Sequence, residues 1–353
     1  MSDLEPGIYF GLPEDDYFAI PALSASGVKN IRMSPMDFWA RAKWLNPGYD
    51  DDNEETEESF AKTLGKAYHK RILEGRDAFL RCYVPPFNPA DHKGALDGSD
   101  EIKDALRRFK EQGAAVKLSV NKPELIAQLR EIDPSVRLMD DLRADYTERH
   151  AGKVFLEQKS LDKIELSAAM IERDPQLAKA FAGGMPEVTI VWDCHTHGIR
   201  CKARLDYLKS KAIVDLKTVA NKSGYPFERC IEREFSYNRY PIAAAWYYEA
   251  SDQVAGFIKA GKVFGEVSKP YLASLEANHE KTFVYIFQQK GVAPIARGRS
   301  FPRSLTNCLL ATAQCDGAKQ TYRQCLETFG NDPWLTSEPI MAFDDARLPA
   351  LWE

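Results

Sequence analysis

Strand-like periodicity concentrates in the second half of the chain. PEVTIVWDC (186–194), GIRCKARLDYL (198–208), AIVDLKTV (212–219) and KTFVYIFQQK (281–290) are short and rich in β-branched and aromatic residues, either alternating or apolar throughout. The turn His195-Thr196-His197-Gly198 joins the first two, and Lys209-Ser210-Lys211 folds the third back on the second. Helical spacing governs other segments. In FAKTLGKAYHKRILEG (60–75), Leu64, Ala67, Tyr68 and Ile72 lie on one stripe, and Gly75 can end the helix. Within 20–47, Ser24 or Ser26 can cap one helix, and Ser34-Pro35 opens another, with Phe38, Trp39 and Trp44 packing into the core. Further helices are expected over 160–182, in SYNRYPIAAAWYYEAS (236–251) with the aromatic stripe Tyr240, Trp246 and Tyr247, and as one or two closing helices over 303–329.

Composition shifts mark the boundaries. Residues 1–98 form an N-terminal helical part, interrupted by DDDNEETEE (50–58), whose seven acids in nine positions predict a solvated loop or disordered insertion. A connector rich in Pro, Asn and Gly (83–98) leads to an inserted helix–loop–helix segment over 99–134, with Leu118 and Val120 in the loop and Leu125, Ile126 and Leu129 on the second helix. The segment is similar to the SAP motif, a small helical DNA-binding element, and the similarity implies phosphate contacts by Arg107, Lys117 and Lys122. An ordinary helical hairpin is the other reading. Residues 135–330 hold the strand-rich core, and 331–353 form an irregular tail.

The candidate chemistry lies in CKARLDYLKSKAIVDLKT (201–218). A turn centred between Ser210 and Lys211 places Asp206 opposite Asp215, and cross-strand partners lie roughly 4.5–5.5 Å apart at Cβ. Two carboxylates at that separation can hold one divalent cation. Lys217, two residues beyond Asp215, projects from the same face. Charges at period two are usually a solvated edge, but Ile213, Val214 and Leu216 make this strand apolar on both faces. A carboxylate there costs several kcal/mol unless it is paired or metal-bound. Two carboxylates and an ammonium at one spot suit metal-assisted attack of water on a phosphodiester.

The chain has 353 residues and a net charge of −5, with normal globular proportions of apolar and charged residues. Between Thr196 and Lys222, however, seven basic residues (Arg200, Lys202, Arg204, Lys209, Lys211, Lys217, Lys222) face two acids, a local excess of +5. A basic rim on an acidic protein suits a polyanionic substrate, and a plain solvated surface is the alternative. No apolar run reaches about 18 residues, so no membrane span is expected. The acidic start MSDLEPGIYFGLPEDDYF is not a secretory signal. Seven scattered cysteines point to a reducing cytosol.

The order of a helix with His69, strands with Glu187, Asp206 and Asp-x-Lys, then a Tyr-bearing helix resembles the PD-(D/E)XK nuclease superfamily. Within it the chain resembles the RecB-type branch and, most closely, the exonuclease VIII (RecE-like) nuclease domain of phages and prophages. The resemblance rests on LGKAYHKRILEG, PEVTIVWD, GIRCKARLDYL, AIVDLKT, YNRYPIAAAWYYEA and FVYIFQQK, and runs from about residue 8 to about residue 330 apart from 99–134. It implies an α/β fold with a central mixed sheet flanked by helices. It implies His69, Asp206, Asp215 and the Leu216 carbonyl as ligands of Mg²⁺, with Mn²⁺ able to substitute, and Glu187 as a ligand of a second ion or a support of the first. It assigns Lys217 to positioning the attacking water and matches Tyr247 to the Tyr of a family motif; Tyr247 and Arg239, with Arg204, Lys202 and Lys222 of the basic cluster, are the residues expected to meet DNA. Ala243 stands where the family's Gln-x-x-x-Tyr motif has glutamine, which puts fine substrate geometry in doubt; Arg239 or Asn238 is the candidate substitute.

The expected activity is therefore exonucleolytic hydrolysis of linear double-stranded DNA, 5′→3′, in phage-type recombination within a bacterial cytoplasm. The resemblance also implies a single-strand annealing partner and a homo-oligomeric ring. A decayed DNA-binding accessory protein and a structure- or site-specific endonuclease are the rival readings. A zinc site at Cys194, His195, His197 and Cys201 is disfavoured by its position in a turn. Cys308, Cys315 and Cys325 are too widely spaced for an iron–sulfur cluster. No G-x-x-x-x-G-K-[ST] loop or G-x-S-x-G elbow occurs.

Overall fold

The computed structural model describes residues 4–48, 57–221, 224–291, 293–337 and 340. Its strands, in chain order, are β1 (Gly7–Tyr9), β2 (Tyr83–Val84), β3 (Val154–Phe155), β4 (Gly184–Cys194), β5 (Ile199–Lys209), β6 (Ala212–Ala220), β7 (Val263–Phe264), β8 (Thr282–Lys290) and β9 (Ala296–Ser300). The chain divides into two compact units: Met1–Glu74 with Leu166–Glu353, and Gly75–Glu165.

The first unit is built on a 7-stranded mixed sheet in the order β7-β1-β4-β5-β6-β8-β9. Strands β4, β5 and β6 run antiparallel to one another, whereas β6 and β8 are parallel, joined through the helices Phe227–Tyr237, Tyr240–Asp252, Val254–Lys259 and Lys269–Ala277. Both faces are covered, which is why the central strands read as apolar rather than one-sided. Val188, Ile190, Trp192, Cys201, Ala203, Leu205, Ile213 and Val219 enter the main core with residues of Tyr240–Asp252 and Thr306–Phe329. On the other face Tyr207, Val214, Leu216 and Ile286 pack against Leu73 and Ile72, which lays the helix Glu57–Leu73 over β5 and β6.

The inward–outward alternation slips at one place. Val188 and Leu205 face the main core, but so do Leu208 and Met185, three residues away, while Tyr207 joins the opposite cluster. The β4–β5 ladder pairs Pro186 with Tyr207 and Val188 with Leu205, and skips Glu187 and Asp206 between them. Glu187 has φ 51, the left-handed region that costs a non-glycine residue roughly 1–2 kcal/mol. Each strand loses its phase there.

The second unit has its own core of Ile102, Leu106, Val116, Leu125, Leu129 and Leu138, with Leu118 and Val120 packed against it. Its helices Gly98–Glu111 and Lys122–Ile132 flank the loop, and β2 pairs with β3 in parallel. This unit extends on both sides of the 99–134 segment, because the β2–β3 pairing joins its two ends.

Several local expectations change. Ser236 and Tyr237 end the helix Phe227–Tyr237, and Arg239, at φ 50, breaks the chain before Tyr240–Asp252 begins. The closing segment is one helix, Thr306–Phe329. Of the acidic run, residues 50–56 lie outside the described residues, and Glu57 opens a helix. Of the tail, Trp334 is fully buried and stacks on Phe38 with ring centroids 5.2 Å apart, while 341–353 lie outside the described residues. Among the described residues no helix is long and apolar enough to cross a membrane.

Candidate metal centre

The hairpin register is the one the turn dictates. Leu208 pairs with Ile213 and Tyr207 with Val214, where the pairing ends; the same register carried one step on aligns Asp206 with Asp215. There the ladder gives way to a side chain: the Leu216 N–H donates to Asp206 Oδ2 at 2.8 Å. One register position further across the sheet, Glu187 lies opposite Asp206 at the lapse in the β4–β5 ladder. Two neighbouring strands thus each contribute a carboxylate to one spot.

The helix Glu57–Leu73 brings in the third group. His69 Nδ1 is 3.7 Å from Asp206 Oδ2. His69, Glu187 and Asp206 each present a ligand atom, all within 4.8 Å of one another, and among the described residues this is the one such group. Burial pushes the His69 pKa down to about 4, with the Lys217 charge adding to it, while Asp215 and a hydrogen bond with the Leu216 backbone oppose the shift. The imidazole is therefore neutral at pH 7, the form that ligates a metal. Burial raises the pKa of Glu187, Asp206 and Asp215, the last to about 6.

Asp215 stands apart from that ligand group. Its side chain is 1% exposed, and Oδ2 lies 2.5 Å from Lys217 Nζ. Its Oδ1 is buried without a hydrogen bond. An orphaned buried carboxylate oxygen beside a cluster of two carboxylates and an imidazole fits a hard divalent cation of the Mg²⁺ or Mn²⁺ kind. His69, Glu187 and Asp206 are placed to hold it, with Asp215 and the Leu216 carbonyl beside them. Such a cation supplies charge stabilisation to a phosphodiester and acidifies water. Burial opposes the charge on Lys217, but Asp215 and Asp206 outweigh it and its pKa rises. Lys217 is accordingly a fixed cationic donor, able to orient a water or a phosphate oxygen but not to take up a proton. Its Nζ also lies 5.4 Å from the centre of the Tyr240 ring, a contact the sequence did not disclose.

The groups expected to meet DNA fare differently. Lys202 is buried, and its ammonium donates to the carbonyls of Tyr17 (2.9 Å), Phe18 (3.3 Å) and Ile20 (2.8 Å), leaving nothing for a phosphate. Arg204 is likewise committed: Nε bonds Glu187 Oε2 at 2.6 Å and Nη1 bonds the Leu12 carbonyl at 2.8 Å. The expectation for Lys202 is corrected, since its ammonium is spent on carbonyls inside the fold, whereas Arg204 stays partly exposed while bonding Glu187. Of the other basic residues in that stretch, Arg200 pairs with Asp193 and Lys209 bonds the Lys179 carbonyl. Arg204 orients Glu187. Tyr247 is half-buried against Phe283, close enough to Asp215 and Asp206 that their charges add to the burial holding its hydroxyl protonated. Arg239 is exposed, and Lys222 lies outside the described residues.

The zinc alternative finds no cluster among the described residues, and His197 Nε2 is engaged by Asp316 at 2.8 Å. A cleft of about 500 Å³ lined by residues including Asp193, Cys194, His195 and Arg200 shares no residue with the carboxylate cluster.

The chain is similar to the crystal structure of a protein from Eubacterium rectale described as a "Putative exonuclease", at 15% identity over 94% of this chain and 97% of that chain, with a TM-score of 0.46. No curated protein matches it. The family model described as a PDDEXK-like domain of unknown function (DUF3799) matches residues 24–289, a span that takes in His69, Glu187, Asp206, Asp215 and Lys217. The chain belongs to this PDDEXK-like family.

Proposed function

We propose that this protein is a metal-dependent deoxyribonuclease that degrades linear double-stranded DNA from its ends. The observation that carries this reading is the convergence of His69, Glu187 and Asp206 within 4.8 Å, beside the Asp215–Lys217 pair. Two carboxylates and a neutral imidazole hold the cation. Asp215 anchors Lys217 through their ion pair, and Lys217 orients the attacking water and meets the charge that builds on the phosphate. Arg204 holds Glu187 in place, and the Leu216 N–H holds Asp206. Membership of the PDDEXK-like family supports the same chemistry.

Exonucleolytic action, 5′→3′ polarity, a role in phage-type recombination with a single-strand annealing protein, and assembly into a ring follow from the RecE-like resemblance of the motifs. Among the described residues marked for DNA contact, Arg239 is exposed in the nuclease core, and Arg107 and Lys117 are exposed in the inserted helical segment. The test uses duplexes labelled at either the 5′ or the 3′ end, a nicked circle and a closed circle, each with Mg²⁺ or Mn²⁺. The proposal expects loss of the 5′ label from linear DNA first, with closed circles spared. Cutting of closed circles identifies an endonuclease, and binding without cleavage identifies a DNA-binding accessory protein.

A further inference from the structure

Buried and half-buried lysines in the first unit are matched to oxygen atoms. Lys202 donates to three carbonyls, Lys281 to the Asn278 carbonyl at 2.8 Å, Lys319 pairs with Glu249 at 2.6 Å, and Lys217 pairs with Asp215. Lys29, half-buried on the helix Ala25–Ile31, and Lys262 are the exceptions, because among the described residues no hydrogen bond or ion pair reaches either ammonium, and of the two Lys29 lies beside the carboxylates. What it meets is a ring. Lys29 Nζ lies 5.6 Å from the centre of Tyr240, the ring that Lys217 Nζ approaches at 5.4 Å.

Two ammoniums therefore share one ring. Lys29 feels the positive charges of Lys217 and Arg239 and the negative charge of Asp215, and burial with Lys217 holds its pKa down to about 8. A cation–π contact is a weak interaction at a partly exposed site. It does not offset the loss of water together with repulsion from a second ammonium. An anion arriving beside Lys29 removes that cost. A DNA strand carries a phosphate about every 3.4 Å along the helix axis, so a strand placed at the metal cluster brings further phosphates within its reach.

We propose that Lys29 forms a phosphate-binding subsite that holds a phosphodiester of the DNA strand next to the one attacked at the His69–Glu187–Asp206 cluster. This rests on the nuclease reading and names a substrate contact within it. Lys29 is a binding residue here, and the reacting atoms remain with the carboxylates and Lys217.

The test measures affinity of the full chain for a short fluorescent duplex, with Ca²⁺ in place of Mg²⁺, across a salt series, for wild type, Lys29→Gln and Lys29→Arg. Lys29→Gln is expected to weaken binding about tenfold and to reduce the slope of log affinity against log salt by about 1. In Mg²⁺ it should raise KM far more than it lowers kcat, and Lys29→Arg should restore affinity to within about threefold. Wild-type affinity and salt slope in Lys29→Gln overturn the proposal. If its melting temperature falls while affinity holds, Lys29 serves only the packing of Tyr240, which also overturns it. Absence of cleavage by the wild type with either metal ion sinks the nuclease reading, and an altered salt slope in that case still retains the phosphate subsite.

Discussion

Glu187 and Asp206 face each other across β4 and β5 at the single position where that ladder lapses. The lapse frees two adjacent strands from strict alternation and lets a carboxylate from each reach the same point. Its structural cost is visible at Glu187, a non-glycine residue held at φ 51. The strain is tied down locally, because Arg204 grips the Glu187 side chain and the Leu216 N–H takes over Asp206. Strain of this kind gathers where function over-determines geometry.

Comparing Glu187→Ala with Glu187→Gly isolates the backbone cost. Both remove the carboxylate and leave Arg204 without its partner, so they differ chiefly in tolerance of positive φ. Chemical denaturation should find Glu187→Gly more stable than Glu187→Ala by about 1 kcal/mol. Equal stabilities, or alanine the more stable, contradict the strained backbone.

Cation binding should grow with pH. Burial raises Asp215 to about 6 against the opposing charge of Lys217, and burial with the charge of Asp206 raises Glu187 to about 7, against about 4 for an ordinary carboxylate. A raised folded pKa stabilises the metal-free protein below about pH 4, and that contribution is lost as pH climbs through 6 to 7. His69, held near 4, works in the opposite sense, its contribution lost as pH falls below about 6.5. A cation must displace the carboxylate protons at low pH, which costs on the order of 2 kcal/mol at pH 5.5. The rise in Tm on adding Mg²⁺ should therefore be several degrees larger at pH 8 than at pH 5.5. An equal rise at both pH values refutes the cluster as the binding site.

Lys202→Met should behave as a stability variant. It leaves the carbonyls of Tyr17, Phe18 and Ile20 without their donor, a loss of about 3 kcal/mol by urea denaturation. DNA affinity of the folded variant should stay within about twofold of wild type. A fully stable variant with much weakened DNA binding reverses the assignment.

Arg204→Met should act through Glu187. Removing the partner that orients a ligand typically costs 10–100-fold in metal affinity or activity. Isothermal titration with Mn²⁺ should find that loss, and wild-type affinity contradicts a positioning role.

The legible parts of the sequence were those that local chemistry fixes alone. The two-residue turn at Ser210-Lys211 sets the β5–β6 register, and with it the alignment of Asp206 and Asp215. Ser24 and Ser34 cap their helices as their positions suggest. Charged residues at period two were misleading, because Lys202 looks like part of a solvated rim until both faces of β5 are known to be covered. The reversal at Glu187 had no signal, since a glutamate gives no warning of positive φ. Lys29 was hidden for a related reason: a lysine on a short capped helix reads as surface, and only the Tyr240 ring and the packing of Tyr240–Asp252 bring it beside Lys217.

The most direct test of the central claim is degradation of linear duplex DNA by wild type and Lys217→Ala, with DNA binding measured on the same samples. The account predicts Mg²⁺-dependent degradation by wild type, slowed on the order of 10²–10³-fold in Lys217→Ala while binding is retained. Degradation that persists in EDTA, or that proceeds at the wild-type rate without Lys217, contradicts it.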